Sequence, residues 1–112
     1  MVLALSLPAL AGLKEKQVIG TWTYSVDTGS EMLTGNLEFK KSEGALTGEV
    51  HTDQGEFIMM EKVEIRDNNV LYFEVPTDYD ILKISVTIDK KSYTGTIATS
   101  QGDLAVSGVK KE

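Results

Sequence analysis

The sequence has 112 residues, of which 41% are hydrophobic and 25% are charged, and a chain of this size and composition fits one globular domain. Its formal net charge of −6 argues against the basic surface that nucleic-acid-binding proteins present to phosphates, so no nucleic-acid partner is expected. The chain contains no cysteine, which rules out a disulfide framework and thiolate metal sites.

The N-terminal residues 1–13 are uncharged and mostly apolar, and every charged residue lies from Lys14 onward. This run is too short to span a bilayer, which needs about 20 apolar residues, so no stable membrane span is expected. It matches the apolar core of a secretory signal peptide with Ala9-Leu10-Ala11 as the cleavage site, although the basic segment that normally precedes the core is missing. We therefore expect residues 1–11 to be the remnant of a signal peptide whose start codon was placed too late. Residues 12–112 are then a single secreted or periplasmic domain.

Turn-forming residues divide the rest of the chain into eight short runs that are rich in Val, Ile, Leu, Thr, Tyr and Phe, as β-strands are. No stretch after Val18 sustains the helical period, although a short helical turn fits Leu13 to Val18. The fourth run, Phe57 to Ile65, departs from regular alternation because its apolar phase slips around Glu61-Lys62, which indicates a β-bulge or a break. The seven turns lie at residues 27–30, 41–44, 52–55, 67–69, 76–78, 89–92 and 100–103.

A Thr-Gly step recurs at Thr34-Gly35, Thr47-Gly48 and Thr94-Gly95, and strand alternation places each glycine on the apolar face. Ser107-Gly108 is a weaker copy of the same step. Glycine weakens the interior of a strand, so a set on one face indicates the sharp bends of a small barrel. We predict an all-β fold, a small eight-stranded antiparallel up-and-down barrel with short hairpin turns, in which the last strand pairs with the first. An open sandwich in which the glycines have no common role is the alternative.

The apolar segment 2–11 lacks the alternation of a strand, so we expect it to lie outside the barrel wall as a helix or an extended arm. A short buried helix broken at Pro8 is the alternative to a signal peptide.

Gly20-Thr21-Trp22 at the start of the first strand resembles the G-x-W motif that opens lipocalins, and Gly108 to Lys111 resembles the place where that superfamily has a basic residue over the Trp. Leu37 to Lys41 and Leu46 to Val50 are similar to stretches of the small secreted lipocalin-like domains of Bacteroidetes, which belong to the calycin superfamily. The resemblance implies a barrel that binds a ligand, and it carries over no catalytic residue. Alternation places Trp22 and Lys110 on the inner face, so we expect Gly20, Trp22 and Lys110 to form a structural plug at one end.

A search for catalytic and metal-binding residues yields few candidates. His51 is the only histidine, it lies on the outward face by alternation, and no partner for a zinc site is apparent around it. The carboxylates at Asp53/Glu56 and Asp78/Asp80 occur in turns, where acidic residues mostly form solvated turns instead of calcium sites. We therefore predict no enzyme activity, no cofactor and no metal site.

Two binding hypotheses remain. The first is a small apolar ligand in the barrel lumen, where the inward glycines leave room beside large side chains; its predicted residues are Gly35, Gly48, Gly95, Tyr24, Phe39 and Phe73. The second is a protein-interaction or accessory domain with a filled core, which uses the outer wall. That wall is expected to bring Tyr72 close to Ile81, so self-association is predicted through Tyr72, Tyr79 and Ile81 or through the N-terminal apolar segment.

Overall fold

The computed structural model describes residues 13–111 and contains one short helix and nine strands in that range. The expectations for residues 1–11, including self-association through that segment, lie outside the described residues. Within the described range, no helix has the length and apolarity needed to cross a membrane. The elements are α1 (Glu15–Val18), β1 (Gly20–Asp27), β2 (Met32–Ser42), β3 (Ala45–Thr52), β4 (Phe57–Met59), β5 (Lys62–Arg66), β6 (Val70–Pro76), β7 (Ile81–Asp89), β8 (Ser92–Thr99) and β9 (Gly102–Val109).

The nine strands form one antiparallel sheet in the order β4-β3-β2-β1-β9-β8-β7-β6-β5. Each hairpin joins neighbouring strands, and β9 returns to pair with β1 through Val26 and Val106. The prediction of an all-β, up-and-down sheet whose last strand pairs with its first is therefore confirmed. The alternative of a two-layer sandwich is wrong, because all nine strands belong to one curled sheet.

The predicted number of eight strands is wrong, because the fourth run supplies two strands that pair with opposite edges of the sheet. β4 pairs with β3 through Val50 and Ile58, whereas β5 pairs with β6 through Val63 and Phe73. Between them, the Met60 N–H donates to the Gly48 carbonyl oxygen (2.9 Å) and the next N–H, of Glu61, donates to the Glu74 carbonyl oxygen (2.9 Å). The chain thus crosses from one edge of the curled sheet to the other at the predicted break.

The core lies inside the curled sheet and follows the predicted alternation. In β7, for example, Ile84, Val86 and Ile88 are buried while Ser85 and Thr87 between them are exposed. The rings of Phe39 on β2 and Phe73 on β6 meet edge to face with centroids 5.5 Å apart, so they join opposite walls of the barrel. Among residues 13–111 every buried residue with a side chain is hydrophobic. The core within this range therefore contains no charged group that would need a buried partner.

Each inward glycine of the repeated step lies directly opposite a large inward side chain on the neighbouring strand. The pairs are Tyr24 with Gly35, Phe39 with Gly48, Val86 with Gly95 and Tyr93 with Gly108. At Gly35, Gly48 and Gly108 the partner is aromatic, and its ring covers the strand where a side chain is missing. At each of these pairs the opposite side chain therefore fills the space that the glycine leaves.

Gly108 shows how close the approach is. A Cβ atom there would collide with the Thr23 carbonyl oxygen and lie 2.8 Å from the Tyr93 ring. The absence of that atom lets Tyr93 reach across from β8 and donate its hydroxyl to the Thr23 oxygen of β1 at 2.7 Å. Gly108 of β9 thereby allows a hydrogen bond that links β8 to β1 across the seam between β1 and β9.

We expect Gly108→Ala to lower the free energy of unfolding by about 3 kcal/mol, since the added methyl group displaces Tyr93 or the backbone of β1. Ser107→Ala is the matched control, because Ser107 is the adjacent, outward-facing residue of the same strand, and its change should stay within about 0.5 kcal/mol. Urea unfolding followed by tryptophan fluorescence measures both. Equal stability of the two variants would contradict this account of the seam.

Candidate functional site

An open cavity of about 250 Å³ occupies one half of the barrel. It lies toward the end that carries the β1–β2, β3–β4, β6–β7 and β8–β9 turns, which we call the open end. Its wall consists mainly of aliphatic side chains from eight strands, and Thr52, Thr77 and Thr99 line it near the turns. The aliphatic lining includes Val26, Val50, Val75, Ile84, Ile97 and Val106.

The opposite half, which we call the closed end, is filled by aromatic side chains and covered by α1. Trp22 is 1% exposed, packs edge to face against Tyr93 with ring centroids 5.8 Å apart, and donates its indole N–H to the Val18 carbonyl oxygen at 2.9 Å. Val18 itself is fully buried, so the helix seals the end over the Trp ring. The cavity is therefore closed off at this end.

Lys110 lies against the outside of this plug. Its Nζ is 5.5 Å from the centre of the Trp22 ring and donates a hydrogen bond to the Gln17 carbonyl oxygen at 3.1 Å. A Cβ on Gly20 would lie 2.9 Å from the Lys110 Cε, so the glycine leaves space for the lysine stem. Gly20, Trp22 and Lys110 are thus brought together at the closed end, with the ammonium group directed to a backbone carbonyl.

Two of the six predicted ligand-binding residues, Tyr24 and Phe73, line the cavity. The other four are absent from the lining because the room expected beside the glycines is occupied by the protein itself. The Tyr24 ring covers Gly35, while Phe39 and the Met60 sulfur cover Gly48. Val86 and the backbone of β7 cover Gly95 in the same way, and Phe39 lies deeper, between Gly48 and Phe73.

The sequence suggests Gly48→Leu as a substitution that would block the lumen. Because the space beside Gly48 is already filled, this variant is a poor test of ligand binding. Its side chain would displace the Met60 sulfur and clash with the Phe39 ring, and so destabilise the crossing at Met60-Glu61.

A second depression adjoins the cavity at the open end and shares Tyr24, Leu33 and Thr52 with it. Its other walls carry Glu31 and Asp53, and the Thr34 hydroxyl donates to the Asp53 carboxylate. Burial, and secondly the charge of Asp53, raise the pKa of the Tyr24 hydroxyl, which therefore stays protonated at neutral pH. The passage from the apolar cavity to solvent is thus lined by neutral hydroxyls and carboxylates.

The turns at the open end carry carboxylates and no basic residue. Residues 27–32, 52–57, 76–81 and 99–103 contain no Lys or Arg, and their acidic residues are Asp27, Glu31, Asp53, Glu56, Asp78, Asp80 and Asp103. Most basic residues lie instead around the closed end: Lys14, Lys16, Lys40, Lys41, Arg66, Lys90, Lys91, Lys110 and Lys111. Strand order alone creates this asymmetry, because alternate turns of an up-and-down barrel fall at opposite ends.

Asp80 connects two of the acidic turns. Its carboxylate accepts hydrogen bonds from the Ser100 N–H (2.7 Å) and the Ile81 N–H (2.8 Å), and the bond from Ser100 is the main reason why the pKa of Asp80 is lowered. The carboxylate therefore remains charged at pH values below the usual titration range of aspartate. It also ties the β6–β7 turn to the β8–β9 turn at the rim of the open end, which these acidic turns form.

The outer-wall patch predicted at Tyr72, Tyr79 and Ile81 is not continuous. Tyr72 pairs with Ser85, whereas Ile81 pairs with Pro76, so the expected proximity of Tyr72 and Ile81 is wrong. Tyr72 is also only 8% exposed, because the Arg66 guanidinium stacks 3.8 Å from the centre of its ring. Tyr79 is 97% exposed and lies in the β6–β7 turn, and self-association through it stays a prediction.

Solved structures similar to this fold are designed β-barrels. One redesigned β-barrel matches with a TM-score of 0.66 at 15% identity, over 88% of this chain and 95% of that chain. The redesigned β-barrel mFAP1, bound to DFHBI, matches with a TM-score of 0.63 at 14% identity, over 87% of this chain and 97% of that chain. A de novo designed fluorescence-activating β-barrel matches with a TM-score of 0.60 at 12% identity, over 88% of this chain and 96% of that chain. No protein-family model and no curated protein matches the sequence. At these identities the likeness establishes the barrel fold alone.

The plug at the closed end is testable by comparing its two members. We expect Trp22→Ala to lower the free energy of unfolding by about 3–5 kcal/mol, since a large ring is lost from a fully packed site. Lys110→Met keeps the stem and removes the ammonium, so we expect a loss of only about 1 kcal/mol. Chemical unfolding followed by circular dichroism, which does not depend on the tryptophan, measures both. If Lys110→Met lowered the free energy of unfolding as much as Trp22→Ala, burial of the Trp22 ring would not be the main stabilising contribution of the plug.

Proposed function

We propose that this protein is a carrier that holds a small apolar ligand in the open cavity and performs no catalysis. The observation that carries the proposal is the cavity itself: about 250 Å³ lined largely by aliphatic side chains, inside a barrel sealed at one end. An apolar cavity with a few polar groups at its mouth is the usual form of a small-molecule site. A filled core would have favoured the alternative role of an interaction domain that uses its outer wall.

Two further observations support a binding role. The fold is similar to designed barrels, one of them bound to DFHBI and another described as fluorescence-activating. The resemblance of Gly20-Thr21-Trp22, and of Gly108 to Lys111, to lipocalins points to the same class of function. Tyr24 is the only titratable side chain that lines the cavity in the described part of the chain, and this supports a carrier better than an enzyme.

The cavity limits the size of the ligand. A volume of about 250 Å³ lies just below the range of about 300–1,000 Å³ that is usual for small-molecule sites, so the enclosed part of the ligand is small. The adjoining depression at Glu31 and Asp53 leaves room for a polar end. We therefore propose a compact apolar or weakly amphipathic ligand whose polar end faces the rim.

The charge of the rim restricts the ligand further. A charged ligand end at the mouth would lie near several of the seven carboxylates. Its distance to the closest of them would be within a Debye length, which is about 8 Å at physiological ionic strength. A negative rim attracts cations and repels anions. Neutral and cationic ligands are thus favoured over fatty acids and other carboxylates.

Export remains part of the proposal. It rests on the apolar run that ends at Ala9-Leu10-Ala11 in the sequence. N-terminal sequencing of protein expressed behind a complete leader tests it, with Gly12 as the expected first residue.

Filling the cavity should weaken binding of a neutral apolar dye such as N-phenyl-1-naphthylamine. We expect Leu104→Trp to raise the dissociation constant at least about tenfold, since Leu104 lines the cavity near its mouth. Ala105→Trp is the matched control, because Ala105 is the next residue of β9, faces outward and is exposed. Fluorescence titration measures binding, and circular dichroism verifies that both variants are folded. Unchanged affinity in the folded Leu104→Trp protein would place the dye outside the cavity and overturn the proposal.

The rim makes a separate prediction about ligand charge. We expect decyltrimethylammonium to displace the bound dye at a concentration about tenfold lower than decanoate, since the two share a chain length and differ in charge. Raising the salt concentration to about 1 M, where the Debye length is about 3 Å, should remove most of the difference. The double variant Glu31→Gln/Asp53→Asn should reduce it at low salt. A preference for decanoate would contradict the role assigned to the rim.

A further inference from the structure

A cluster of possible metal ligands lies on the outer face of the wall, away from the cavity. Glu49 and His51 are two residues apart on β3, so their side chains leave the same face of the sheet. Glu38 on β2 pairs directly with Glu49 across the ladder. The three side chains therefore converge although 13 positions of sequence separate the first from the last. The sequence alone indicates no ligand partner for His51, but the register of β2 against β3 brings two carboxylates to it.

The distances suit a shared ion. The His51 Nε2 atom is hydrogen-bonded to Glu49 Oε1 at 2.8 Å and lies 3.8 Å from Glu38 Oε1, and one ligand atom from each of the three residues lies within 4.8 Å of the other two. A bound ion would replace that hydrogen bond. The Glu49 side chain is 18% exposed and that of His51 is 31% exposed, so neither extends freely into solvent. The His51 ring also packs against Phe57 on β4 with centroids 4.6 Å apart, which restricts its orientation. These atoms are therefore already close together on a rigid wall.

The negative charge of the two carboxylates in the cluster favours a bound cation. Two carboxylates directly opposite each other in an antiparallel ladder repel and destabilise the pair. Lys40 offsets this only in part, since its Nζ is 3.8 Å from Glu49 Oε2 and its side chain is 55% exposed. A divalent cation between the carboxylates and the imidazole nitrogen would neutralise both acids at once.

We propose that Glu38, Glu49 and His51 form a binding site for a divalent transition metal of the zinc type. One imidazole nitrogen with two carboxylate oxygens is a ligand set that zinc accepts, and three protein ligands leave a coordination position for water. Calcium and magnesium are less suited, because they require six or more oxygen ligands and do not favour imidazole. The site is separate from the cavity, so it neither requires nor predicts a lumen ligand.

Zinc titration followed by long-range ¹H–¹⁵N NMR of the imidazole tests the proposal. His51 is the only histidine, so in protein freed of any purification tag a shift of the imidazole nitrogens reports on this site alone. We expect a saturable shift of Nε2 that is complete near one equivalent of zinc at high protein concentration. Magnesium and calcium at the same concentration should leave the signal unchanged. An unchanged imidazole signal in zinc, or an equal shift in magnesium, would overturn the assignment.

Three variants locate the ligands by calorimetry. His51→Gln and Glu49→Gln should each weaken zinc binding by about tenfold or more, since each removes one ligand. Glu43→Gln is the matched control, because it removes the same charge in the β2–β3 turn, outside the cluster, and it should leave zinc affinity within about twofold. Zinc affinity that survives His51→Gln would show that the acidic surface binds the ion elsewhere and would refute the site.

Discussion

The curled sheet depends on a set of cross-strand pairs in which a glycine faces a large side chain. At Gly35, Gly95 and Gly108 the glycine lacks the Cβ that would strike the neighbouring backbone, and at Gly48 it lacks the Cβ that would strike the Met60 side chain. The residue opposite, which is Tyr24, Phe39, Val86 or Tyr93, covers the gap. Curvature and core packing are thereby supplied by the same pairs. At Gly108 the pair also creates a hydrogen bond between Tyr93 and β1, so closure of the seam and burial of an aromatic ring occur together.

The distribution of large side chains along the barrel axis explains why one end is filled and the other is open. Trp22, Tyr93 and Phe39 occupy the half near α1, where the Trp22 indole N–H finds a carbonyl partner in the helix. Aliphatic residues and threonines line the other half, and their shorter side chains do not meet across the barrel. A barrel of about eight strands is only just wide enough to be filled by side chains, and this sheet has nine, so the shorter side chains of the open half leave a cavity. The same axis separates the acidic rim from the basic closed end, and the proposed carrier function uses both asymmetries.

The outer wall shows how a rigid sheet also assembles polar groups. Glu38, Glu49 and His51 approach one another because two paired strands hold alternate residues on one face at fixed spacing. No loop is needed to position them, and neither the cavity nor the plug contributes a residue. Ligand binding in the lumen and metal binding on the wall are therefore independent proposals about one scaffold.

The sequence by itself determined the features that depend on neighbouring residues: the strand-forming runs, their up-and-down order, the inward faces, the break in the fourth run and the inner position of Trp22. Alternation and turn residues encode these features locally, so each can be predicted without knowing which residues lie opposite. The tertiary structure alone decided that the space beside Gly35, Gly48 and Gly95 is filled, that Met60 and Glu61 join opposite edges of the sheet, and that Glu38 and Glu49 meet His51. Those outcomes depend on register and curvature, which bring distant residues to within a few ångströms of each other, and a change of register by one residue would reverse every face.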